Sequence, residues 1–97
     1  IEFEEKMPPE ILFHGTAEKN VGEIFANGLK KMSRHHVHLS ADAETAKKVG
    51  TRHGKPIIFK VETERMIAEN FKFYVSANGV WLVEEVPPQF LEIYETN

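Results

Sequence analysis

The sharpest alternation of apolar and polar positions falls at His36-Val37-His38-Leu39-Ser40, where aliphatic residues interleave with imidazoles and a hydroxyl. A period of two belongs to a strand with one face in a core, so Val37 and Leu39 point inward and the polar row faces out. Upstream, residues 1–10 read as a linker stiffened by Pro8-Pro9. Ile11-Leu12-Phe13 is a short buried strand that stops in a tight turn at His14-Gly15-Thr16. Thr16 then caps a helix of about a dozen residues. Val21, Ile24, Phe25 and Leu29 form its apolar stripe, and Gly28 ends it in the left-handed region.

Downstream, Ser40 or Asp42 caps a second helix from Ala43 to about Val49, which Gly50 stops. The stretch 51–56 is basic and too broken for regular structure. Ile57 to Glu62 is a strand, Thr63 opens a helical turn containing Met66 and Ile67, and Phe71 to Val75 alternates as a strand does. Asn78-Gly79 signals a hairpin into a strand at Val80–Val83, Pro87-Pro88 breaks that strand, and Leu91 to Tyr94 makes the last one. About six short strands with two or three short helices, the helices early and the strands late, predict an α+β fold with a mixed or antiparallel sheet.

Composition narrows what this fold can do. The 97 residues make one small domain, and an apolar share of 41% favours a folded chain over a disordered one. A net charge of −3 excludes a whole-domain basic footprint, so any anion must be held by a local cluster. The chain has no cysteine, which excludes disulfides and thiolate metal sites and allows an intracellular location without showing it; a cytoplasmic one is expected. No apolar run approaches the roughly 18 residues of a membrane span, so no membrane partner is expected. The sequence opens on Ile1 with no initiator Met, so a longer polypeptide is expected.

Local clusters carry the chemistry. In His14-Gly15-Thr16 the glycine backbone offers a ligand close approach and His14 can donate to a sugar hydroxyl; an ordinary turn with a helix cap is the plainer account. His36 and His38 on one strand face, joined by His14 or His53, could ligate a metal. Against that, no acidic residue stands at a familiar metal-motif spacing. Surface histidines are the remaining alternative. Arg52-His53-Gly54-Lys55 suits a phosphate clamp, with an arginine fork for phosphate oxygens, or a solvated loop after a helix end. Position 80 is valine, and no Ser/His/Asp ordering or phosphate-loop glycine pattern occurs, so no general base is evident.

Taken in order, His14–Thr16, Gly28-Leu29, Arg34–Ser40, Val49–Pro56 and Asn78–Leu82 resemble the NAD-binding lobe of the RNA 2′-phosphotransferase (KptA-type) family. The resemblance runs over residues 11 to 94. It implies an ADP-ribosyltransferase-like split, bent β-sheet with NAD as co-substrate in the cleft and 2′-phosphorylated RNA, such as tRNA from splicing, as partner. It carries His14, Gly15, Thr16, Arg34, His38, Ser40, Asn78 and Val80 onto NAD binding and Arg52 onto catalysis, with no metal. Protein-modifying relatives place a carboxylate where Val80 stands; a 2′-phosphate is already a charged nucleophile that a carboxylate would repel. The family also has an N-terminal RNA-binding lobe with an Arg-His pair and a further Arg, and nothing before Ile11 matches it. Residues 11–97 are therefore expected to be one lobe of a two-lobe enzyme, with little turnover alone. The alternative is a non-catalytic NAD or ADP-ribose binding module.

Overall fold

The computed structural model describes residues 3–32 and 34–94, so the far ends of the expected linker and lobe lie outside the described residues. The strands are β1 (Glu4–Glu5), β2 (Ile11–Ala17), β3 (Val37–Leu39), β4 (Pro56–Glu62), β5 (Phe73–Val75), β6 (Trp81–Val83) and β7 (Leu91–Ile93). The helices are α1 (Val21–Asn27), α2 (Ala43–Thr51) and α3 (Thr63–Ala68). Two antiparallel sheets result, one ordered β1-β5-β6-β3 and the other β2-β4-β7. They meet where Phe13 and Ser40 exchange both backbone hydrogen bonds, at 2.9 and 2.8 Å. The α+β reading holds, and the sheet is entirely antiparallel.

The differences from expectation each have a local cause. Strand β2 does not stop at Phe13; β4 pairs with it residue by residue from Ile11↔Glu62 to Ala17↔Pro56, so the expected turn is strand. Thr16 is therefore not a helix cap, and its Oγ1 accepts from Asn20 Nδ2 at 3.2 Å. The dozen-residue helix becomes a 3-10 turn at Glu18–Asn20 followed by seven-residue α1. Gly28 ends it as expected at positive φ, 80°, with its N–H on the Ile24 carbonyl at 2.7 Å.

Asp42, rather than Ser40, caps α2 by accepting the Thr45 N–H at 2.7 Å. Strand β5 starts late because Asn70 turns to φ 73° and the Phe71 N–H closes α3 on the Met66 carbonyl at 3.1 Å. The hairpin at Asn78-Gly79 exists, with a three-residue loop: Ser76 N–H bonds Val80 at 2.9 Å, Gly79 N–H bonds Ser76 at 3.0 Å, and Gly79 takes φ 83°. That geometry is a turn followed by a left-handed glycine, and it starts β6 at Trp81. Strand β1 was not anticipated, because exposed Glu4-Glu5 carries no apolar alternation and joins β5 through its backbone.

Gly50 was expected to stop α2, yet it lies buried inside the helix. A Cβ there would stand 2.8 Å from the Thr16 carbonyl oxygen, and one on Gly15 would stand 1.7 Å from that of Ala46. Helix α2 thus rests backbone to backbone on β2, with a glycine on each side of the contact. Beneath, Leu12, Phe59, Val61, Met66, Phe73 and Phe90 are fully buried, and Trp81 joins the same core.

Gly15→Ala is expected to destabilise the chain by roughly 3 kcal/mol, the upper end for overpacking, because the obstacle is backbone. Gly22→Ala, with open space around its Cβ, is expected to stabilise α1 by about 0.5 kcal/mol. Urea unfolding of the two variants checks both signs; equal effects would show that the helix-to-strand contact is not tight.

Candidate active site

The cleft lies where the two sheets part. Along an antiparallel strand, successive residues turn their N–H and C=O to opposite sides. Phe13 directs both groups to Ser40, so Gly15, two residues on, directs its peptide edge the same way, past the end of β3. The opening there is about 600 Å³ and takes its lining from β2, β3, α2 and the connection between α1 and β3. In β3, Val37 and Leu39 are buried and His38 is exposed to the cleft, as the alternation predicts. The Gly15 side chain position is occupied by the Ala46 carbonyl, so helix packing, rather than ligand approach, accounts for the glycine there.

Hydrogen bonds tie three of the polar groups into a chain. Arg34 Nη1 donates to His38 Nδ1 at 3.2 Å, and His14 Nδ1 donates to the His38 carbonyl at 3.0 Å. A guanidinium only donates, so His38 Nδ1 is an acceptor and its proton sits on Nε2. His14 carries its proton on Nδ1, which leaves Nε2 to accept. The expectation that His14 donates to a sugar hydroxyl is thereby reversed, since a hydroxyl would donate to it. Burial holds the His14 imidazole below its usual 6.5, more than its bond to the His38 carbonyl raises it, and His38 and His53 push it down further. His38 is lowered by desolvation and then by Arg34 and His36. Both rings are neutral near pH 7, offering one acceptor and one donor.

His14, Gly15, Thr16, Arg34, His38, Ser40, Arg52 and Val80 all line this cleft. Asn78 does not; it is exposed in the hairpin loop, whose geometry it serves. Of the expected phosphate clamp, Arg52 and His53 face the cleft while Lys55 turns to Glu18 at 3.7 Å. Sequence reasoning missed Asn20, Lys30, Lys31 and Thr45 on the lining. Asn20 would have been legible only with the 3-10 turn, which brings it back over Thr16. Lys30 and Lys31 reach Glu85 and Glu84 at 2.8 Å in exposed pairs at the rim. Among the described residues no carboxylate lines the cleft, none pairs with Arg52, and no three ligating side chains stand close enough for a metal.

An α+β lobe with a split antiparallel sheet and a histidine pair in the opening has the architecture of an ADP-ribosyltransferase-like lobe. Comparison with known proteins makes this specific. The model of the RNA 2′-phosphotransferase, Tpt1 / KptA family matches residues 1–85, and the chain belongs to that family. It is 55% identical over 93 residues to a probable RNA 2′-phosphotransferase of Trichormus variabilis, covering 96% of this chain and 51% of that protein. A probable RNA 2′-phosphotransferase of Fusobacterium nucleatum is 57% identical, over 95% of this chain and 52% of the relative. One of Nostoc punctiforme is 51% identical, over 95% and 51%. The chain spans about half the length of the curated relatives it matches.

The neutral, half-buried His14 predicts a pH dependence of stability. Its folded proton affinity is depressed, so the unfolded state binds more protons below 6.5. Stability is full above that value and falls as the pH drops through it. Urea midpoints at pH 7.5 and 5.5 should decline in the native chain and decline less in His14→Asn, whose amide keeps the bond to the His38 carbonyl. An unchanged decline in the variant would remove His14 from the account.

Proposed function

We propose that this chain is the NAD-binding lobe of an RNA 2′-phosphotransferase, acting with an RNA-binding lobe on 2′-phosphorylated tRNA in the cytoplasm. The observation that carries this reading is a cleft lined with cations and neutral imidazoles in a chain of net charge −3. Such a lining suits a ligand that brings several phosphates and few positive charges. As co-substrate, NAD would accept the RNA 2′-phosphate on its ribose with loss of nicotinamide, yielding RNA with a 2′-hydroxyl and ADP-ribose 1″,2″-cyclic phosphate.

The chain's own residues suit the parts of that reaction. The Gly15 peptide edge offers an N–H and a carbonyl at the sheet parting, a match for a carboxamide. His14 Nε2 accepts from a ribose hydroxyl, and His38 Nε2–H donates beside it. Arg34 fixes His38 in that tautomer and keeps a charge near the pyrophosphate. Arg52, free of a carboxylate partner among the described residues, is the group to align the 2′-phosphate and offset charge that builds on it. Val80 leaves the opening without a carboxylate, which favours an anionic nucleophile.

In the enzyme completed by its RNA-binding lobe, Arg52→Ala is expected to lower kcat by about 100-fold or more with the fold intact. Arg52→Lys should recover only part of that, because a point charge replaces a fork. Loss of folding, or unchanged turnover, would remove Arg52 from catalysis. On the 97-residue chain, NMR titration with NAD or ADP-ribose should shift His14–Thr16, Arg34–Ser40 and Arg52, and His38→Ala should weaken binding. Binding without turnover in the completed enzyme would favour the alternative, a non-catalytic NAD or ADP-ribose module.

A further inference from the structure

Beyond the cleft, the outer face of the four-stranded sheet carries rings that the proposed reaction does not use. His36 lines the cleft and lies beyond it against two aromatic neighbours, Phe3 and Tyr74, with ring centroids 5.8 Å away in each case. All three side chains are half-buried. Tyr74 stands opposite Leu82 of β6, and Leu82 opposite His38 of β3, so the strip is continuous with the histidine pair. Its lip is Lys31, whose Nζ sits 2.8 Å from Glu84, and Glu84 in turn lies near enough to His36 for that ring to help hold its carboxyl below the usual range. The far side is bounded by Glu5, paired across from Tyr74.

We propose that this strip seats the RNA nucleotide next to the 2′-phosphorylated one, its base stacked on the Tyr74 ring with His36, tilted 54° to that ring, against the base edge, and its phosphate on Lys31. This rests on the reading that the cleft receives a 2′-phosphorylated RNA. Single-stranded RNA is commonly held by stacking bases on aromatic side chains of an exposed antiparallel sheet, and cations track its backbone. The polarity of the strip sets the direction: phosphate toward Lys31, away from Glu5. Lys31 can make the exchange because its pair with Glu84 is exposed, and an exposed ion pair contributes about 1 kcal/mol at most. The competing account is that the rings only cover Leu82, which is 3% exposed. Covering needs the ring area alone, whereas a base platform needs the rings to respond to RNA.

The test uses a short RNA with one internal 2′-phosphate and 2-aminopurine on either side, titrated without NAD into the isotopically labelled chain. Tyr74 and His36 ring signals should shift, and aminopurine should be quenched on one side. Tyr74→Ala should weaken binding about tenfold while Tyr74→Phe retains it. Lys31→Ala should reduce the slope of log affinity against log salt by about 0.7. ADP-ribose is titrated into the same samples. If it shifts His14 and Arg34 while the RNA leaves the Tyr74 ring unmoved, the platform is overturned and the cleft reading stands. If ADP-ribose shifts nothing there, the cleft reading itself falls. Ring signals that follow protein concentration instead of RNA would assign the strip to a second copy of the chain and overturn the proposal.

Discussion

Everything in the site depends on how closely α2 approaches β2. At Gly15 the helix backbone fills the space a side chain would take, and at Gly50 the strand does the same to the helix. With no side chains between them, the two backbones fix each other's position about as rigidly as a protein interior allows. Helix α2 ends at Thr51, so its placement delivers Arg52 and His53 to the opening. The same contact holds one face of Gly15 shut, leaving the peptide edge as the only part of that residue open to a ligand. One packing constraint therefore orients a cation and a backbone recognition edge together.

The histidine pair shows the opposite strategy, in which hydrogen bonds rather than packing define the chemistry. Arg34, His38 and His14 are linked through one imidazole and one carbonyl, so each ring nitrogen has an assigned role. Neutral rings suit this position. Burial depresses both proton affinities first, and nearby charge adds to it: His38 and His53 at His14, Arg34 and His36 at His38. Cations with fixed charge supply the field, and the imidazoles supply direction.

How much of this was legible in the sequence varied with the kind of constraint. The Val37-His38-Leu39 alternation named both the buried and the exposed face, because burial on one side is written directly in residue type. Glycines were visible but ambiguous: Gly15 and Gly50 read as ligand approach and helix stop, while the partner that demanded each was the other's element. Strand β1 could not be seen because Glu4-Glu5 joins through backbone alone. Lys55 and Asn78 looked like members of the site because they neighbour it in sequence, yet one is drawn off to Glu18 and the other turns a hairpin. Lys30 and Lys31 were missed for the converse reason, since their partners are Glu85 and Glu84, far along the chain.

The charge distribution is costly to the free protein. Fifteen acidic residues against twelve lysines and arginines give an acidic chain, yet among the described residues the cleft lining excludes every carboxylate. Like charges are thus concentrated where opposite ones were available; among the described residues Glu84 and Glu85 relieve them at the rim, and Glu23 stands in the adjoining hollow that shares His14, Thr16 and Lys30 with the cleft. Such an arrangement weakens the folded state unless an anion offsets it. An anion in the cleft would relieve the repulsion and raise the proton affinity of both imidazoles, so ligand binding and histidine protonation are thermodynamically linked. The lowered proton affinities of the free cleft leave room for that rise before His14 Nε2 loses its acceptor role.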